Sequence, residues 1–122
     1  MKVLLGLGGT AESTRALSET VERGRAMGDE LVIAVLEKPD SPRSSEEMAT
    51  EAETVVSDAG LDAEIRRLAG DPGPALVDLA EREGFDQVVI GGGTETPMGK
   101  IRLGSITEFV LLNASMTVKL VR

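Results

Sequence analysis

Apolar residues run along this chain in two alternating rhythms. Lys2 to Leu7 is a short, almost continuous apolar run that stops at Gly8-Gly9-Thr10. From there apolar positions return at Ala16, Leu17 and Val21, roughly every third or fourth residue. The first rhythm predicts a strand and the second an amphipathic helix, joined by a tight turn. Thr10 is placed to cap that helix, Glu12 and Ser13 stand in the first turn, where the macrodipole favours an acid, and Gly28 is placed to stop it. Leu31 to Leu36 is apolar throughout, as a strand buried on both faces requires, so it belongs in the middle of a sheet. Pro39, Ser41 and Pro42 predict a loop. Met48, Ala52, Val55 and Val56 then fall at helical spacing, predicting a helix over roughly 43 to 59 that ends at Gly60.

Residues Asp62 to Leu68 alternate imperfectly between apolar and charged, the pattern of an edge strand with one wet face. Gly70 to Pro74 reads as a turn, with Pro74 suited to the first helical position and Leu76, Val77, Leu79 and Ala80 carrying a helix to Gly84. Val88 to Ile90 is the next buried strand. A glycine-rich loop, Gly91 to Gly99, leads into Ile101, Leu103, Ile106, Phe109, Val110 and Leu112 at helical spacing, and Thr117 to Val121 forms a last strand. Strands alternating with helices in the order βαβαβαβαβ predict an α/β fold: a single three-layer domain over 1–122, its parallel sheet covered by helices on both faces. Ligands in such folds bind outside the carboxyl ends of the strands, where the chain order reverses. The loops after the first, second and fourth strands are therefore the ones to inspect.

Composition narrows the chemistry. The 122 residues contain no Cys and no His, which removes disulfides, thiolate nucleophiles, the usual zinc sites and imidazole acid–base catalysis. A net charge of −8 argues against nucleic acid or an anionic membrane as partner, since both are held by basic patches. No run approaches the eighteen or so apolar residues of a membrane span, and the Met1-Lys2 start enters a strand pattern directly. A soluble, cytoplasmic protein with small molecules or protein as partners is the expectation.

Three phosphate-loop patterns compete. Gly6-Leu7-Gly8-Gly9-Thr10-Ala11 fits the dinucleotide fingerprint GxGxxA at a strand-to-helix turn, but the candidate ribose acid, Glu37, lies farther on than the twenty or so residues that motif spans. Met98-Gly99-Lys100 suggests a P-loop, yet Thr94 stands where its first glycine belongs and Ile101 where a hydroxyl should bind magnesium. The third pattern starts at Gly91, skips two residues to Thr94, then nine more to Gly104-Ser105 at the head of the last helix. Backbone N–H groups there, with the macrodipole, make an anion site, and Gly104 lets a phosphate approach while Ser105 adds a donor. Gly91 would leave room for a ribose or an adenine edge. The same residues also fit a structural reading, in which the glycines serve tight turns and Ser105 caps the helix.

That third spacing, followed by Ile106-Thr107-Glu108, resembles the pattern G-x2-G-x9-G-[ST] and its V-[ST]-E continuation in the universal stress protein family. The likeness extends over nearly the whole chain, through the first strand, the Gly70-Asp71-Pro72 turn and the terminal strand. It implies an adenine nucleotide alpha hydrolase-like sheet of five parallel strands in the order 3-2-1-4-5. It further implies ATP or a related phosphorylated small molecule at Gly8, Gly9, Val35, Gly91, Thr94, Gly104, Ser105 and Ile106, with the Val35 backbone holding adenine. A divalent cation enters only with bound nucleotide. Two positions depart from the pattern: Gly8 stands where ATP-binding members carry an Asp, and Thr94 replaces the second motif glycine, placing a branched side chain beside a phosphate.

Lys100 and Arg102 sit in the glycine-rich loop, either neutralising phosphates or simply solvated. The resemblance also implies a homodimer through the edge strand 117–121, which gives an exposed edge the cover it needs. The function it implies is a regulatory binding module. The alternatives are a dimeric interaction member that holds no nucleotide and a slow ATPase relying on loop N–H groups and a bound metal.

Overall fold

The computed structural model describes residues 1–37 and 43–122; the loop expected at Pro39, Ser41 and Pro42 lies outside the described residues. The elements run β1 (Lys2–Leu7), α1 (Ala11–Met27), β2 (Glu30–Leu36), α2 (Ser45–Asp58), β3 (Glu64–Leu68), α3 (Pro72–Arg82) and β4 (Gln87–Gly91). Then follow β5 (Thr94–Glu95), β6 (Ile101–Arg102), α4 (Ser105–Asn113) and β7 (Thr117–Val121). The main sheet has the order β3-β2-β1-β4-β7 and every pairing in it is parallel. Taken in chain order, its five strands stand as 3-2-1-4-5. The glycine-rich stretch also holds an antiparallel hairpin, β5 with β6, in which Thr94 lies opposite Arg102 and Glu95 opposite Ile101.

Strand alternation builds the three layers. Successive side chains of a strand leave on opposite faces, so Val3, Leu5 and Leu7 join Leu31, Ile33 and Val35 against Ala16, Leu17 and Val21 of α1 and Met48 and Ala52 of α2. Leu4, Val32, Ala34 and Leu36, with Val88 and Ile90, pack the other face against Leu76, Leu79 and Ala80 of α3 and Val110 of α4. Each fully buried Leu, Ile or Val in these layers contributes about 1.5–3 kcal/mol. With both faces covered, the central strands carry no charged or polar side chain past their first residues, Lys2, Glu30 and Gln87.

Helix ends follow local chemistry. Thr10 caps α1, its Oγ1 accepting the Ser13 N–H at 3.1 Å, and Gly28 closes the helix in the left-handed region at φ 72 with its N–H on Gly24 O. Ser44 caps α2 in the same way. The third helix starts two residues earlier than its pattern indicated: Pro72, not Pro74, takes the first helical position, behind Asp71. A proline loses nothing there because that N–H has no intrahelical partner. Ile101 and Leu103, read above as the first turn of the last helix, precede it; Ile101 belongs to β6. Among the described residues no helix is long and apolar enough to cross a membrane.

Candidate functional site

From β1 the chain crosses to β2 on one side, whereas β4 lies on the other. This reversal opens a crevice at the carboxyl ends of β1 and β4, the switch point at which doubly wound sheets take their ligands. The crevice is a cleft of about 150 Å³. Gly6, Leu36 and Ile90 form its floor, Gly8, Thr10, Glu12 and Ser13 one wall, and Gly91 to Gly93, Arg102 and Gly104 to Thr107 the other.

The first wall is the start of α1. Gly9, at φ 82, turns the chain out of β1, and Ser13 Oγ accepts the Gly8 N–H at 2.7 Å. Ser13 is only 2% exposed, so this bond holds the turn rigidly against the helix. The second wall is the start of α4. Gly104 is its N-cap, at φ −72 and ψ 164, and no side chain caps this end. The ladder begins with the Glu108 N–H on Gly104 O at 2.9 Å, which places the N–H groups of Ser105, Ile106 and Thr107 ahead of it. Those donors and the helix macrodipole favour an anion at the cleft. A Cβ on Gly104 would meet nothing within 4 Å, so the approach to these donors is open.

Gly91 brings the two walls together. A Cβ there would lie 2.5 Å from Glu12 C, Glu12 O and Ser13 N, so the end of β4 touches the α1 backbone as only glycine can. Thr107, 5% exposed, stands beside Gly92, whose Cβ would lie 2.8 Å from its Oγ1.

Of the residues expected from the sequence, Gly8, Gly91, Gly104, Ser105 and Ile106 line this cleft. Gly9 supplies the backbone turn beside it. Val35 does not line it: its side chain is fully buried on the α1–α2 face, between Leu7 and Arg67 in the sheet. The next residue, Leu36, leaves on the opposite face and reaches the floor. Thr94 lies in β5, and the left-handed backbone that the motif's second glycine suggests falls one residue earlier, on Gly93 at φ 81. Ser105 is the first helical residue, not the cap. Arg102 lines the cleft, whereas Lys100 lies at a separate surface recess with Thr96, Pro97 and Met98. The sequence signalled Thr10 and Ser13 only as helix-start residues, three apart; their closeness to the α4 terminus depends on the fold.

The profile of the family described as "Universal stress protein family" matches residues 1–122. The chain belongs to the universal stress protein family. Its fold superposes on a universal stress protein from Archaeoglobus fulgidus with a TM-score of 0.82 at 21% identity, over 100% of this chain and 98% of that one. A universal stress protein solved in complex with cAMP is 31% identical, with a TM-score of 0.79 over 100% and 96% of the two chains. The stress response protein NhaX of Bacillus subtilis (strain 168) is 27% identical over 78 residues, 64% of this chain. That match spans about half of NhaX, 47% of its length. Within this universal stress protein, Gly8 faces open space: a Cβ there would meet only Leu36 Cδ1, at 4.0 Å.

Proposed function

We propose that this universal stress protein is a binding module that holds an adenine nucleotide such as ATP, with phosphate at the N-terminus of α4. The observation that carries this reading is the uncapped α4 terminus, opened by Gly104, on a cleft it shares with the start of α1. The 31% identical structure in complex with cAMP supports an adenine nucleotide as the class of ligand. Backbone donors of Ser105, Ile106 and Thr107 bind phosphate, Ser105 Oγ adds one hydrogen bond, and Leu36 and Ile90 offer the apolar floor against which a base packs. At about 150 Å³ the cleft is smaller than the ~300 Å³ at which ligand pockets begin, so it encloses only part of a nucleotide and the rest extends past its mouth. A divalent cation enters only with the nucleotide. The module acts in the cytoplasm as a homodimer paired through residues 117–121.

Calorimetric titration with ATP, ADP, AMP and cAMP tests the reading. Binding heat is expected with the wild type. Ser105→Ala removes one hydroxyl and leaves the backbone donors, so affinity should fall about fivefold. Gly104→Val places a branched side chain over those donors and should abolish binding while the protein still melts cooperatively. No heat with any nucleotide, at low and at high salt, would leave an interaction module in its place.

A further inference from the structure

The arginines of this acidic protein are segregated. Away from the cleft they are neutralised: Arg23 pairs with Asp29 at 3.3 Å, Arg67 with Glu37 at 3.2 Å and Arg82 with Asp78 at 3.6 Å. Arg66 joins Glu64 at 2.9 Å and Glu83, and its hydrogen bonds hold both carboxyls below the ordinary glutamate range. By contrast, Arg15, Arg102 and Arg122 make no ion pair with an Asp or Glu side chain among the described residues.

These three stand on separate elements, Arg102 in the cleft lining and the other two next to it. Arg102, in β6, lines it. Arg122, just past β7, lays its Cγ and Cδ 2.9 and 3.0 Å from where a Gly93 Cβ would stand, and Gly93 is cleft wall. Arg15, one turn into α1, donates its Nε–H to the Arg122 backbone oxygen at 3.1 Å. Glu12 is the one acidic side chain among the described lining residues. Guanidinium groups match phosphate oxygens in a planar, bidentate fork, and like charges held near one another repel less once an anion lies between them.

We propose that Arg15, Arg102 and Arg122 form a subsite for the phosphates beyond the first, so that the cleft selects ligands with a polyphosphate tail over monophosphates. The proposal rests on the nucleotide reading above for the adenosine end of the ligand, but not for the tail. The α4 terminus takes one phosphate and the guanidinium corner takes the rest.

Titrations with AMP, ADP, ATP and inorganic tripolyphosphate, in EDTA so that guanidinium is the cation available to the tail, test it. Affinity is expected to rise by about tenfold or more from AMP to ATP, the scale of one or more charge-assisted hydrogen bonds, and to weaken with salt. Arg102→Gln should cost ATP more than about tenfold and AMP less than about threefold; Arg15→Gln should cut the same way by a smaller factor. Equal affinity for AMP and ATP, or an equal loss for both in Arg102→Gln, overturns the proposal. Tripolyphosphate binding that Arg102→Gln weakens, without binding of any nucleotide, upholds the corner and sinks the adenine reading. If neither tripolyphosphate nor a nucleotide binds, both are wrong.

Discussion

Gly91 and Gly104 bracket the same motif and do different work. A Cβ on Gly91 would press on backbone atoms of Glu12 and Ser13 at 2.5 Å, whereas one on Gly104 would enter open space. Backbone at the head of a packed helix yields less than a side-chain end, so Gly91→Ala should destabilise by at least the ~1–3 kcal/mol of overpacking. Gly104→Ala changes an N-cap that already lacks a side-chain bond and should cost no more than about 1 kcal/mol. Urea unfolding of the two variants reads this difference; similar losses for both would contradict it. The spacing from Gly91 to Gly104 marked both residues in the sequence. It did not reveal that Gly91 serves the contact between β4 and α1, because that contact joins residues nearly eighty positions apart.

Strands and helices were legible wherever a period could establish itself. β1, β2, β4 and α1 follow directly from apolar runs and helical spacing, and Thr10 and Gly28 mark the ends of α1. The β5–β6 hairpin was not legible, since two-residue strands are too short to show alternation. The parity of β2 likewise decides between Val35 and Leu36 only once the faces of the sheet are known. β7 bears on association. It is a sheet edge with Thr117 and Lys119 exposed between half-buried Val118 and Leu120. On neighbouring α4, Leu111 and Leu112 are 38% and 76% exposed. An edge of this kind gains by pairing with a second copy about a two-fold axis. Sedimentation equilibrium at micromolar concentration should return twice the monomer mass, and a monomer mass would rule this edge out as a dimer interface.

Across the whole molecule, a −8 chain carries, among the described residues, the arginines without an Asp or Glu partner toward the carboxyl end of the sheet and the Arg66–Glu64–Glu83 network near the amino end of β1. The order of the main sheet was legible because alternating strands and helices admit few right-handed arrangements. The meeting of Arg15, Arg102 and Arg122 was not, because it joins positions 107 residues apart. Phosphate at the head of α4 is central to the proposed function, and amide chemical shifts report on it directly. When ATP is titrated into ¹⁵N-labelled protein, the largest shifts should fall on the amides of Ser105, Ile106 and Thr107, with smaller ones from Gly8 to Ser13. The amides of Glu30, Glu64 and Glu83 should stay in place. Unmoved α4 amides, or shifts centred on the Arg66 network, would contradict it.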